Sequence, residues 1–232
     1  MNSISAYTPI LAACPLFQGM AQGQIDSFLS TAHPFIECYK KNSFIAISGE
    51  PMEGIGVLLE GEANLTRENV MGQRSIITKL TPSSMFGEAL LFTSHPLWPA
   101  TIETTKPAKV LFLPLGSFTE SLPGCEMCQK QLLTNLLHDM SEKALLLTKK
   151  VHYLTLKGMR EKIFAYLIDM YKRQHNLTLH LPHNRQEMAD VLNVSRTSLS
   201  RELSRLQDED IIRFKGKTIE ILDLEALEEY AF

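Results

Sequence analysis

Cysteine is scarce in this 232-residue chain. Its four, Cys14, Cys38, Cys125 and Cys128, are too few and too scattered for a disulfide-stapled scaffold, so reduced thiols are expected. Long apolar runs are missing as well, and none approaches the roughly 20 residues that a membrane-spanning helix needs. The opening MNSISAYTPILAACPLF has no basic residue ahead of its weak apolar stretch, which argues against a secretory signal and for a cytoplasmic protein. Enzymatic signatures are lacking too. There is no GxSxG, Walker loop or HExxH, and Glu88 is one carboxylate in a β-type region, where acid–base chemistry needs a pair; an enzyme is not expected. The seven histidines form no HxH or HxxxH pair. No repeat or low-complexity segment interrupts the chain. With 44% apolar and 21% charged residues, it has the composition of a globular protein with room for two domains.

Net charge is −3, which at first sight disfavours a polyanionic partner. Its distribution matters more. Between Lys157 and Lys217 there are twelve Lys and Arg against eight Asp and Glu, while acidic residues gather between Glu220 and Glu229. Screening limits charge interactions to about 8 Å at physiological salt, so a polyanion meets the local basic excess and not the total.

The same region carries the most specific pattern in the chain, RQEMADVLNVSRTSLSRELS from Arg185 to Ser204. Met188, Ala189, Val191 and Leu192 give a first helix its apolar side; Leu199, Leu203 and Leu206 recur at i, i+4, i+7 and give a second helix its own. Ala189 is small where the two should cross. Asn193 stands where the chain needs a left-handed residue, and Ser195 is placed to N-cap the second helix. Arg196, Thr197, Ser200 and Arg201 remain as an outward polar face near that helix's N-terminus. Two guanidinium groups on such a face suit guanine edges or phosphates in a major groove. Ile211–Phe214 and Thr218–Leu222 then read as a β-hairpin with a basic tip, Lys215-Gly216-Lys217, the wing of a winged helix-turn-helix.

The rest of the chain divides by periodicity. Pro15-Leu16-Phe17 with Ile25, Phe28 and Leu29 predicts one short amphipathic helix. Short β-type runs follow at 44–47, 55–59, 63–66, 75–80, 100–104 and 110–113, punctuated by glycines, as in a compact antiparallel roll. Pro123-Gly124 ends them. Leu133, Leu137, Met140, Ala144, Leu147, Val151 and Leu154 then alternate spacings of four and three, which fits a coiled-coil seam between two chains; packing on the chain's own roll is the alternative, and both can hold at different ends. A homodimer would also present paired recognition helices to a two-fold symmetric double-stranded site. The expected fold is α+β: a jelly-roll-like effector-sensing roll over 1–124, a dimerisation helix over 125–156, and a winged helix-turn-helix over 157–232.

PLFQGM near the start, GEPMEGIGVLLEGEANL and MFGEALL in the β region, the long helix, and NRQEMADVLNVSRTSLSREL with its wing together resemble the Crp/Fnr family of bacterial transcription regulators from Pro15 to Leu222. The resemblance implies a homodimeric DNA-binding regulator with a cyclic-nucleotide-binding-like roll, a small-molecule effector, and RNA polymerase as a further partner. In the head, Arg185, Ser195, Arg196, Arg201 and Lys217 match positions that contact backbone or bases in the family. Thr197 stands where the family often has Glu. A threonine offers a hydroxyl and a methyl and cannot accept from cytosine as a carboxylate does, so the operator should differ there.

The sensor departs further. In the nucleotide-binding branch, a Gly-Glu pair is followed by an Arg-Ser pair that grips the phosphate. Gly87 and Glu88 are present, but Trp98 and Pro99 occupy the Arg-Ser place, and without the guanidinium cyclic AMP is not the expected effector. A flatter or less charged molecule could lie against Trp98, with Gly87, Glu88 and Thr101 beside it and Leu147 and Thr148 reaching in from the long helix. Alternatively Trp98 fills the pocket and Glu88 ties down a turn. Less favoured are a redox or metal role for the Cys125–Cys128 CxxC, with Cys14 the only other cysteine near the family's iron–sulfur position, and a heme at His95. A stand-alone ligand-binding module is the remaining alternative, but it would not need Arg196 and Arg201 on a capped, exposed helix.

Overall fold

The computed structural model describes residues 4–68 and 71–229, which form two compact units, Met1–Glu142 and Lys143–Phe232. The first opens with α1 (Thr8–Ala12) and α2 (Gln22–Ala32), each preceded by a single 3-10 turn, Ile4–Tyr7 and Pro15–Phe17. One amphipathic helix was expected there. Pro15 lacks the N–H that would continue a helix and Gly19 takes φ 76, so the segment breaks into short pieces instead.

Eight strands follow: β1 (Phe35–Tyr39), β2 (Phe44–Ala46), β3 (Gly54–Glu60), β4 (Ala63–Glu68), β5 (Arg74–Leu80), β6 (Met85–Phe86), β7 (Thr101–Thr104) and β8 (Ala108–Pro114). They make two four-stranded antiparallel sheets, ordered β1-β8-β3-β6 and β2-β7-β4-β5. The period-2 alternation of β8 shows why two layers of core form. Ala108, Val110 and Phe112 point into the roll with Trp98, Phe86 and Ile102, whereas Leu111 and Leu113 point outward under α1 and α2 with Phe17, Ile25 and Phe28.

After α3 (Gly116–Thr119), Gly124 at φ 80 turns the chain into α4 (Glu126–Thr155), which starts in the first unit and ends in the second. Leu132 and Leu136 are buried against the outer core of the roll, and Leu133 and Met140 are partly buried there. Asn135 donates to the carbonyls of Leu16 and Gln18 at 2.9 and 2.8 Å, pinning this half of the helix. No helix is long and apolar enough to cross a membrane among the described residues.

The second unit contains α5 (Met159–Gln174), β9 (Thr178–His180), α6 (Arg185–Leu192), α7 (Arg196–Asp208), β10 (Ile212–Lys215), β11 (Thr218–Ile221) and α8 (Leu224–Glu228). Its core joins Ile163, Phe164 and Leu167 of α5 to Met188, Ala189 and Leu192 of α6, to Leu199, Leu203 and Leu206 of α7, and to Ile212 and Ile219 of the hairpin. Burying a leucine of this kind contributes about 1.5–3 kcal/mol. The hairpin is one part of a three-stranded antiparallel sheet, β10-β11-β9.

Candidate nucleic-acid interface and sensor site

Three residues each satisfy a backbone demand and so set the bounds of α6 and α7. Asn184 accepts from the amides of Gln186 and Glu187, and Glu187 accepts in return from the Asn184 amide, closing a capping box at the start of α6. Asn193 takes φ 51 and ψ 56, and the Val194 amide reaches back to the Ala189 carbonyl at 2.9 Å. Ser195 Oγ accepts from the Ser198 amide at 3.1 Å, capping α7. Ala189 is fully buried beside Leu199 and Leu203 in the same core.

Two cations hold this pair of helices on α5, and the sequence did not single them out. Arg160 donates to Glu202 at 2.9 Å and to both oxygens of Glu209 at 2.8 Å, tying α7 to the first turn of α5. Lys162 is buried and donates to the Leu192 carbonyl at the end of α6 at 3.2 Å, where the helix dipole favours a cation. Both salt bridges to Arg160 appear only once α5 and α7 are packed, so spacing along the chain carries no signal for them.

Of the residues expected to meet DNA, the fold gathers Arg185, Arg196 and Lys217 around one concavity, together with Asn184, Gln186 and Gly216. Asn184 and Gln186 were missed, although the N-x-x-E spacing of the capping box marks the helix N-terminus there. The Arg185 guanidinium lies 4.7 Å from the centre of the Phe214 ring, and one of its Nη atoms is buried without a hydrogen-bond partner. Burial lowers its pKa from the ordinary arginine value, yet a guanidinium stays charged, so this donor remains electrostatically unsatisfied. Lys217 Nζ donates to the Pro182 carbonyl at 3.0 Å. Thr197, Ser200 and Arg201 lie outside the concavity, with Thr197 and Arg201 exposed and Ser200 half-buried. Ser195 Oγ is occupied by its cap and by the Thr197 and Ser198 hydroxyls.

In the roll, Trp98 is only 8% exposed and packs 6.1 Å from Phe86 in the inner core. Gly87 sits at φ 90 beneath it, where an added Cβ would come within 2.9 Å of the indole and 3.0 Å of Met52 Sδ. Glycine is thus required twice over, by the turn and by the ring. Thr101 is committed to the sheets: its Oγ1 accepts from the Ser48 amide and its carbonyl from Thr66. Glu88 begins a single 3-10 turn. A cleft of about 190 Å³ opens beside Trp98, walled by Phe35, Tyr39 and Phe112 and by the carboxylates of Glu37, Glu50 and Glu53. Gly87, Glu88 and Thr101 do not line it, and it contains no lysine or arginine. Tyr39 donates to Glu37, and burial beside that carboxylate raises its pKa.

On α4, Leu137, Leu147, Val151 and Leu154 are 45–63% exposed and Ala144 is exposed with them. Thr148 Oγ1 turns back to the Ala144 carbonyl. Cys125 is buried against the hydroxyls of Ser27 and Thr31, and burial together with Cys125 pushes the Cys128 thiol up, away from the thiolate that redox or metal chemistry uses. Cys14 is also buried and Cys38 exposed. Among the described residues, no three His, Cys, Asp or Glu side chains come together as a metal site, His95 included.

Residues 36–122 match the model of the cyclic nucleotide-binding domain, and residues 161–230 match that of the Crp-like helix-turn-helix domain. The cAMP-activated global transcriptional regulator CRP of Pasteurella multocida is 25% identical over 84% of this chain and 92% of its own length. The transcriptional activator protein anr of Pseudomonas aeruginosa is 24% identical over 79% of this chain and 75% of its own. The catabolite activator protein of Thermus thermophilus shares the fold, with a TM-score of 0.55 at 22% identity, over 94% of this chain and 98% of its own. A nucleotide-binding-type roll, a long helix and a winged head follow one another in the order those regulators have, and the chain belongs to the Crp/Fnr family of transcription regulators.

Proposed function

We propose that the chain works as a homodimer that reads a two-fold symmetric double-stranded site through α7 and answers to a small molecule other than cyclic AMP held in the roll. The observation that carries this is the cationic concavity of Arg185, Arg196 and Lys217 beside the exposed Thr197 and Arg201. Phosphates would sit in the concavity and fix the register, leaving Arg201, Thr197 and Ser200 to read base edges. The exposed Leu137, Leu147, Val151 and Leu154 support the dimer, since large apolar side chains left open on a helix gain by pairing across a two-fold axis. RNA polymerase is the partner through which such a protein would act on transcription.

The effector reading rests on the cleft beside Trp98. Three glutamates and no lysine or arginine line it, so a cyclic phosphate entering this cleft would be repelled. Residues 1–124, 125–156 and 157–232 then serve as sensor, dimer helix and reading head. Selection of bound duplexes from a random pool should return a two-fold symmetric site; recovery of a sequence with no symmetry, or no enrichment, would overturn the reading. Cyclic AMP should give no heat on titration and leave Trp98 fluorescence unmoved, whereas micromolar binding would show that the roll still takes the nucleotide.

A further inference from the structure

A second cleft, of about 290 Å³, lies wholly within the second unit, between the C-terminal part of α4, α5 and α6. Its wall is apolar. Leu146 of α4, Met170 of α5 and Val191 of α6 flank Tyr153 and Tyr166, whose rings lie 6.2 Å apart at 57°. Both phenols already have partners: Tyr153 donates to Asp169 at 2.7 Å, and Tyr166 pairs with His183 Nδ1 at 2.8 Å. The rings themselves are almost wholly covered, at 4% and 1% exposed, so the apolar surface open to the cleft is chiefly that of the exposed Leu146 and the half-buried Val191.

Cations stand at the edge of that surface. Lys149 is 3.8 Å from Asp169, but Lys150 and Arg173 make no hydrogen bond or ion pair within the described residues. The one carboxylate that lines the cleft, Asp190, accepts from Gln186 on its own helix. An apolar wall beside two cations that lack a carboxylate partner selects for a particular kind of molecule. An apolar compound alone would not be oriented, and an anion alone would be held by exposed side chains too weakly to matter. A flat body that also carries a negative group satisfies both.

We propose that this cleft binds an aromatic carboxylate, its ring against Leu146 and Val191 over the edge of Tyr153 and its carboxylate between Lys150 and Arg173. The site is separate from the cleft beside Trp98, whose carboxylates would repel the same molecule. It is also separate from the exposed stripe of α4. Leu147, Val151 and Leu154 each follow by one residue Leu146, Lys150 and Tyr153, which places them about 100° further round the helix. Because Asp190 and Val191 belong to α6, an occupant ties the first helix of the reading head to α5 and to the end of α4.

Calorimetric titration of the full chain with 2-naphthoate, with 2-naphthylmethylammonium as the charge-reversed control, tests this. 2-Naphthoate should bind at least tenfold more tightly than the ammonium compound. Lys150→Glu with Arg173→Glu should weaken it at least tenfold, and Val191→Trp, which fills the cleft and leaves the charges alone, should abolish binding in a protein whose circular dichroism is unchanged. Trp98 is the single tryptophan, so its indole N–H resonance reports on the roll alone and should not shift. Equal binding of the two compounds, undiminished binding in the double variant, or a shifted indole resonance would each overturn the site. So would absence of heat at millimolar 2-naphthoate, including the case in which the double variant lowers DNA affinity and the two cations serve phosphates instead.

Discussion

Leu137→Glu combined with Val151→Glu should give a monomer that keeps its fold and binds its operator about 10²–10⁴-fold more weakly, the loss expected when two linked sites become independent. The two side chains are 63% and 57% exposed within one chain, so a carboxylate at either place remains solvated and costs the monomer little. Across a two-fold seam the same substitutions bring like charges face to face and remove the apolar contact, which the dimer cannot absorb. Sedimentation and a gel-shift titration read the two effects separately. The neighbouring leucines give the control: Leu132 is fully buried and Leu136 nearly so against the roll, and Leu132→Glu should unfold the first unit while saying nothing about association. A Leu137→Glu/Val151→Glu protein that sediments as the parent does would remove the dimer helix from the proposed function.

That contrast also marks how far the sequence could be read. Leucines stand at 132, 133, 136 and 137, and two adjacent helix faces with identical chemistry cannot be told apart by period alone. The expected stripe captured Leu133 and Met140, which are partly buried on the roll, and Leu137, Leu147, Val151 and Leu154, which are exposed, but it passed over the two residues most deeply packed. In the head the signals were local and therefore legible. A left-handed Asn193, a capping Ser195 and the 199, 203, 206 spacing each state a backbone or packing requirement within a few residues. The helix α5 left no such mark, because every residue from Lys162 to Ile168 is buried and a helix covered on nearly all sides shows no polar face. β9 is three residues long and exists through its pairing with β11, and β1 carries Glu37 and Cys38 on an edge strand, so neither rises above its surroundings in sequence. For Trp98 two placements were open, and the residue does some of each: it packs in the core of the roll and also forms one side of a cleft.

Arg201→Ala and Lys217→Ala should weaken DNA binding in different ways, and the geometry of the head assigns which is which. Arg201 is exposed on α7, outside the concavity and without a hydrogen bond or ion pair within the described residues, so its five donors are available to a base edge. A bidentate arginine–guanine pair contributes about 1–3 kcal/mol of discrimination, and its loss should flatten the preference at one position in each half-site. Lys217 shares the concavity with Arg185 and Arg196 and is held by the Pro182 carbonyl, a placement that suits a phosphate. Removing it should weaken operator and random DNA by the same factor and lower the salt slope by about one unit per protomer. Arg196, although it opens α7, lines that same concavity and should therefore behave as Lys217 does. The measurement is affinity for operator, single-base variants and random duplex at several salt concentrations. If Arg201→Ala lowers all affinities alike while Arg196→Ala flattens a position, the roles are exchanged, and the base-reading edge of α7 lies one turn nearer its N-terminus, at Arg196 and Thr197.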